Sequence, residues 1–259
     1  MSGSAAATAA WDEATLARYR ADGFVLVRGL LAPAEVAALT AELPALLGGD
    51  DDVDGMHRER ERTGAVRQVY LAHRHCAPYR DLARDPRLVG PARQVAGGDV
   101  YLWHSKLNVK DAFEGAVWLW HQDFGYWTND GVQARFLSAM VLLDRATAHN
   151  GSLLVVAGSH RWGLLAHHAD EVTTSYKQWC IDTPVLRDRL REEMIRPIIG
   201  EPGDVLFFDP LLVHGSGHNL SPLPRKALIL CYNALANVPR GVEKPRPDWV
   251  VSRDHTPVR

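Results

Sequence analysis

From Asp99 onward the chain alternates short apolar runs with turn clusters. D-V-Y-L-W-H-S-K-L-N-V-K (99–110), F-L-S-A-M-V-L-L-D (136–144), S-L-L-V-V (152–156), D-V-L-F-F-D (204–209) and A-L-I-L-C-Y-N (227–233) are rich in β-branched, aromatic and aliphatic residues and read as strands. H-N-G-S and E-P-G-D between them are turn chemistry. The first hundred residues differ. D-E-A-T-L-A-R-Y-R-A-D (12–22) carries acid at its front and Gly23 just beyond its end, the marks of a helix. A second helix opens at Pro33 and is limited by Pro44 and Gly48-Gly49, and 78–96 is helical with a break near Pro86. Short strands are expected at 24–28 and 66–72, and a helical insert at roughly 183–194. Helices first and strands afterwards predict a mainly β fold, an antiparallel sandwich or barrel with flanking helices. Residues 1–10 read as a disordered leader, and 48–64, acidic then basic, as a mobile surface loop and candidate lid.

Composition narrows the classes. The 259 residues are 46% hydrophobic and 23% charged, as in an ordinary globular protein with a substantial core. A formal net charge of −2 gives no electrostatic case for nucleic acid or an anionic membrane as partner. Cys76, Cys180 and Cys231 are odd in number, widely spaced and free of any C-x-x-C, which suits reduced thiols in a cytoplasmic protein. No apolar run approaches the ~20 residues that cross a bilayer.

The candidate chemistry centres on A-V-W-L-W-H-Q-D-F-G-Y-W (116–127). In an extended strand, residues two apart point to one side, so His121 and Asp123 would aim an imidazole and a carboxylate at one point. By chance alone, 12 His and 20 Asp give about one H-x-D. A second pair, His168 and Asp170, lies in a polar stretch that reads as a solvated loop, and His57-Arg58-Glu59 reads as an exposed charge run. The aromatic setting of His121 is different, because an unpaired carboxylate is costly to bury there. The bland alternative is a His121–Asp123 hydrogen bond at a strand end. His214, 93 residues further on, closes a strand-like run and is followed by the small Gly215 and Ser216, which permit close approach to the backbone. Two imidazoles and one carboxylate leave half of an octahedron open, the facial arrangement that suits non-haem Fe(II) and O₂ chemistry. Arg225 starts the next strand, which is expected to run antiparallel to the His214 strand and aim the guanidinium into the same cavity, where its planar fork is suited to a carboxylate, although surface exposure is the commoner fate of an arginine.

With these residues assembled, the sequence resembles the phytanoyl-CoA dioxygenase family of Fe(II)/2-oxoglutarate oxygenases, in the branch of ectoine hydroxylase and free-amino-acid (leucine) hydroxylases. The resemblance runs from D-G-F-V-L-V-R-G (22–29) to P-R-P-D-W-V-V-S-R-D-H-T-P (245–257) and is carried by W-H-Q-D-F-x-x-W, N-G-S-L…G-S-H and H-G-S…N-x-S-P…R. It implies a double-stranded β-helix of jelly-roll, cupin-like form. This has helical support over 11–98, the β-helix core over 99–234 and a substrate-side segment over 235–259. It places the metal ligands on His121, Asp123 and His214, and the 2-oxoglutarate clamp on Arg225. Ser216, Asn108 and Ser138 are further co-substrate contacts, with Lys106 nearby. Trp127, Trp103 and His104 are implied to shape the substrate pocket, and Arg246 to bind a substrate carboxylate. Trp103-His104 stands where close relatives carry H-Q, a departure that bears on substrate identity.

The implied activity is hydroxylation of an unactivated C–H of a free amino acid or zwitterion in specialised natural-product metabolism. Its cofactor is Fe(II), its co-substrates are 2-oxoglutarate and O₂, and ascorbate is a stimulating reductant. Related halogenases lack a carboxylate where this chain has Asp123, which favours hydroxylation, or desaturation or ring closure, over halogenation. Outside this chemistry stand a cupin-like metal-dependent hydrolase or isomerase, which needs no dicarboxylate clamp, and a catalytically inactive binding sandwich.

Overall fold

A computed structural model describes residues 9–49, 56–174 and 176–258. Its strands are β1 (Phe24–Val27), β2 (Arg58–Arg60), β3 (Val66–Tyr70), β4 (Val100–Lys110), β5 (Trp118–His121), β6 (Phe136–Leu142), β7 (Leu153–Val156), β8 (His167–Asp170), β9 (Gln178–Ile181), β10 (Ile195–Pro197), β11 (Val205–Phe208), β12 (His214–Ser216) and β13 (Arg225–Ala234). Seven form one sheet in the order β1-β11-β6-β13-β4-β3-β2, and four form a second in the order β10-β7-β12-β5. Every pairing among them is antiparallel. The leader expected at 1–10 falls mostly, and the lid loop partly, outside the described residues.

Alternation along the central strands explains why they read as continuous apolar runs. On the large sheet Ala139, Val141, Val205, Phe207, Leu228 and Leu230 share one apolar cluster with Tyr19, Val36, Leu39, Tyr79 and Leu88 of the helices. The intervening Met140, Leu142, Leu206, Phe208, Ala227 and Ile229 pack instead with Val155 of the small sheet. Both faces are covered, so neither is polar. The helical layer comprises α1 (Glu13–Asp22), α2 (Pro33–Ala41), α3 (Leu43–Leu47), α4 (Ala72–His75), α5 (Ala77–Leu82) and α6 (Pro86–Ala96). Asp12 caps α1 by accepting from Thr15 N, and Gly23 ends it in the left-handed region at φ 81°. The 183–194 insert is an α-helix over Thr183–Arg189 (α7) followed by a 3₁₀ turn over Glu192–Met194.

Several expectations are corrected. Asp170 and His168 do not lie in a loop: they belong to β8, which pairs with β9 in a two-stranded hairpin. Arg58 and Glu59 are not an exposed run. They lie in β2 at the edge of the large sheet, where Arg58 is buried and donates to the Leu46 carbonyl. The strand of 204–209 ends at Phe208, because Asp209 and Pro210 turn the chain through a Leu212 N to Asp209 O bond of 3.0 Å. His214 therefore opens a strand and does not close one. No helix among the described residues is long and apolar enough to cross a membrane, and all three cysteines are free and buried.

Candidate metal and co-substrate site

The small sheet sets the two histidines side by side. His121, the last residue of β5, is the register partner of His214, the first of β12. Their rings lie 4.2 Å apart between centroids. Gly215 and Ser216 admit close approach, but the approaching group is β5. A Cβ at position 215 would stand 2.9 Å from the Trp118 carbonyl oxygen. Asp123 reaches the same point by a turn and not by strand alternation, since β5 stops at His121 and a 3₁₀ turn begins at Asp123.

Gln122 fixes that turn. Fully buried, its side chain donates to the carbonyls of Gly163 (2.8 Å) and Leu211 (2.7 Å) and accepts from Leu165 N (2.8 Å). Its backbone N–H donates to His167 Nε2 at 3.1 Å. Both amide hydrogens and the amide oxygen are engaged, so the residues on either side of it are held.

The ligand atoms of His121, Asp123 and His214 lie within 4.8 Å of one another, and all three residues are buried. Both imidazoles spend Nδ1–H on a backbone carbonyl, His121 on Leu119 (2.7 Å) and His214 on Leu212 (2.9 Å). The Nε2 lone pairs are thereby turned toward Asp123, the orienting device seen around metal-bound imidazoles. Asp123 Oδ1 stands 3.8 Å from His121 Nε2 and 3.9 Å from His214 Nε2. Those gaps are too long for hydrogen bonds, so a self-contained His121–Asp123 bond does not account for the arrangement. Burial and the neighbouring His214 push the His121 imidazolium pKa down to about 3. Asp123 is held below the ordinary carboxylate range: burial raises it, but the combined pull of Lys106, His214 and His121 prevails. A neutral imidazole and an ionised carboxylate are the protonation states that ligate a cation.

The large sheet supplies the opposite wall. Lys106 and Asn108 of β4, Gln68 of β3 and Arg225 of β13 line the cavity at the triad from that side, with Met140 and Phe208 among its apolar walls, while Ser216 of β12 and Trp118 of β5 line it from the small sheet. Arg225 does not lie on a strand beside β12. It faces β12 from the other sheet, as β13 pairs with β4 and β6. The guanidinium is buried, donates to the Gly151 carbonyl at 2.9 Å and leaves Nε without a partner. Burial lowers its pKa to about 10. Gly151 takes φ 70°, and a Cβ there would meet Lys110 Cδ at 2.6 Å, so the glycine of N-G-S shapes the acceptor that aims Arg225. Ser216 Oγ and Asn108 Oδ1 are also buried without partners. Orphaned polar atoms this close together cost stability unless something polar fills the space.

Ser138 sits deeper on the same sheet, opposite Cys231 and Phe208, its hydroxyl unpartnered. His104 lies in that row across Cys231, both ring nitrogens unpartnered, its edge 5.4 Å from Trp127 between centroids. The four residues expected at the substrate are not among the cavity walls. Trp103 and Trp127 are buried in an aromatic cluster with Phe136. Arg246 is engaged by Asp130, with Nε at 2.9 and 3.0 Å from the two carboxylate oxygens and a short contact from Nη2.

Arg67 is a further residue of the site. Its guanidinium is sandwiched 4.0 Å from the Trp118 ring and 4.2 Å from Tyr176, and donates to Tyr176 Oη (2.6 Å), Glu61 Oε1 (3.0 Å) and the Val117 carbonyl (2.9 Å). It braces the tryptophan that walls the cavity. Nothing in V-R-Q-V-Y marks that arginine as buried. Gln122 carries a weak signal, an amide held between two candidate ligands.

Comparison with known proteins agrees with this geometry. Residues 19–227 match the phytanoyl-CoA dioxygenase (PhyH) family. The chain belongs to that family. It is 36% identical over 255 residues to the ectoine dioxygenase of Nocardia farcinica, spanning 94% of this chain and 86% of the relative. The ectoine dioxygenase of Streptomyces avermitilis is 34% identical over 259 residues, spanning 95% and 88%. Among solved structures, EctD from S. alaskensis with 2-oxoglutarate and 5-hydroxyectoine superposes with a TM-score of 0.82 at 33% identity, covering 96% of this chain and 86% of EctD. The two-sheet architecture is therefore the double-stranded β-helix of this family.

Proposed function

We propose that this chain is an Fe(II)- and 2-oxoglutarate-dependent dioxygenase that hydroxylates an unactivated C–H of a small zwitterion. The substrate class is a free amino acid or a cyclic amino-acid derivative such as ectoine, and the setting is cytoplasmic specialised metabolism. One observation carries the reading: a buried His–Asp–His triad faces, across one cavity, an arginine with no carboxylate partner among the described residues. A hydrolytic metal site has no use for that arginine.

His121 Nε2, His214 Nε2 and the Asp123 carboxylate would hold Fe(II), and Arg225, Ser216 and Asn108 the far carboxylate of 2-oxoglutarate. When bound, iron with 2-oxoglutarate and O₂ supplies an oxidant able to remove hydrogen from an unactivated carbon, the co-substrate leaving as succinate and CO₂. The chain's own work is placement and exclusion. Gln122 holds the two ends of the H-Q-D turn, Nδ1–H bonds to Leu119 and Leu212 fix both ring orientations, and Trp118, Met140 and Phe208 keep water from the reacting carbon. The Arg246–Asp130 pair holds the C-terminal segment against the turn after Trp127, which leaves the substrate's carboxylate to another cation.

The reading is tested by a succinate-release screen over ectoine and the proteinogenic amino acids, followed by mass spectrometry. Gain of one oxygen supports hydroxylation. Loss of two hydrogens supports desaturation or ring closure. No substrate-stimulated succinate with any of them overturns the substrate class.

A further inference from the structure

Two side chains beside the cavity have no structural employment. Glu59 of β2 is the register partner of Gln68, and Gln68 of Asn108, so the three stand in one row across β2, β3 and β4. Cross-strand partners share a face, and Gln68 and Asn108 line the metal cavity. Glu59 therefore extends that wall outward, at the open edge of the sheet. Its Oε2 is shut off from water yet accepts no hydrogen bond. Lys106 lies in the adjoining row with Tyr70 as its partner, lines the cavity, and has neither a hydrogen bond nor an ion pair among the described residues.

We propose that Glu59 and Lys106 form the two poles of a zwitterion site at the mouth of the metal cavity, Glu59 taking the substrate's cationic nitrogen and Lys106 its carboxylate. The assignment rests on the oxygenase reading above and deepens it by naming the residues that choose the substrate. Three observations converge on it. First, a carboxylate oxygen screened from water without a donor is costly, whereas a ligand that brings an ammonium or amidinium removes the cost. Second, β2 and β4 are two strand spacings apart, about 10 Å, a gap that a glutamate and a lysine leaning inward reduce to the span of a small amino acid. Third, Tyr70, the register partner of Lys106, places an aromatic ring in the adjoining row, and such a ring suits a cation. Arg246, the other candidate for the substrate carboxylate, is already neutralised by Asp130.

The test uses the full-length protein loaded with Fe(II) and 2-oxoglutarate without O₂, titrated calorimetrically with ectoine, L-leucine, L-leucine methyl ester and N-acetyl-L-leucine. Glu59→Gln is expected to weaken the bound zwitterion by about ten- to hundredfold, the worth of one charge-assisted hydrogen bond. It should leave the weaker affinity for N-acetyl-L-leucine, which lacks the cation, unchanged. Lys106→Met should show the complement, weakening the zwitterion and sparing the methyl ester. Glu59→Gln should keep wild-type affinity for 2-oxoglutarate, read from its visible absorption with Fe(II), while Lys106→Met, whose side chain lines the co-substrate cavity, is read from the ratio of zwitterion to methyl-ester affinity. Unchanged zwitterion affinity in Glu59→Gln, an unchanged ratio in Lys106→Met, or loss of 2-oxoglutarate binding in Glu59→Gln in step with the zwitterion overturns the proposal. A wild-type protein that binds 2-oxoglutarate but neither ectoine nor L-leucine also overturns it. Failure of the wild type to bind 2-oxoglutarate defeats instead the oxygenase reading beneath it.

Discussion

Replacing Arg225 with leucine separates co-substrate binding from folding, because the structure predicts opposite signs for the two. The guanidinium is buried, meets one carbonyl and has no carboxylate within salt-bridge distance among the described residues. In the ligand-free protein it is a buried charge that only the more distant Asp144 offsets, so an apolar side chain in its place removes a desolvation cost. With 2-oxoglutarate present, the same guanidinium becomes half of a buried ion pair, and removing one partner of such a pair costs about 3–5 kcal/mol. At about 1.4 kcal/mol per tenfold, that is a loss of roughly 10² to 10³ in affinity. Thermal unfolding followed with and without 2-oxoglutarate reads both numbers. A ligand at 100 times its Kd stabilises by about 2.7 kcal/mol, so the wild type should shift upward and Arg225→Leu should not, from an equal or higher ligand-free midpoint. A large fall of the ligand-free midpoint, or an undiminished 2-oxoglutarate shift, refutes the reasoning.

Three further outcomes follow from the same geometry. Gln122→Ala strips partners from two carbonyls and one N–H in a buried turn, for a stability loss of about 3 kcal/mol, with Fe(II) affinity lowered about tenfold or more; equilibrium denaturation and metal titration check both. Acid should destabilise the metal-free protein, because burial depresses His121 to about 3 and His73 to about 4 from an ordinary 6.5. Between those values the unfolded chain binds more protons, so the contribution is fully present above pH 6.5 and is lost as pH falls toward 3, measurable as declining urea midpoints. Asp130→Asn leaves Arg246 without its counter-charge and should increase protease cleavage within 240–258, with little change in 2-oxoglutarate affinity, as mass mapping of a brief digest would show.

How far the sequence foretold this depends on whether an element is defined by its own pattern or by its neighbours. The β4, β6, β11 and β13 runs were legible because apolar character on both faces makes them long and unmistakable. Lys106 and Asn108 were visible as polar residues inside one of them. β2 and β8 were not legible, since R-E-R and H-H-A-D carry no apolar alternation and exist as strands only because a partner strand offers its edge. His121, Asp123 and His214 stand out by their types and aromatic surroundings, yet a 3₁₀ turn pinned by Gln122, and not strand alternation, brings Asp123 to the two histidines. Arg225 faces β12 from the other sheet and not from a neighbouring strand, because pairing order cannot be read from a single chain. Arg67 carries no signal in the sequence, and Glu59 reads there as part of an exposed charge run. A charged residue's burial depends on what closes over it, and here that comes from as far away as Tyr176.

The central claim is that one cavity holds iron through His121, Asp123 and His214 and 2-oxoglutarate through Arg225. Anaerobic addition of Fe(II) and then 2-oxoglutarate to the metal-free protein, followed in the visible range, tests it most directly. A weak charge-transfer band that saturates at one equivalent of each in the wild type, and is lost in Asp123→Ala and in Arg225→Leu at the same concentrations, is the predicted result. Stoichiometric iron binding without that band, or a band equally strong in both variants, would contradict the account.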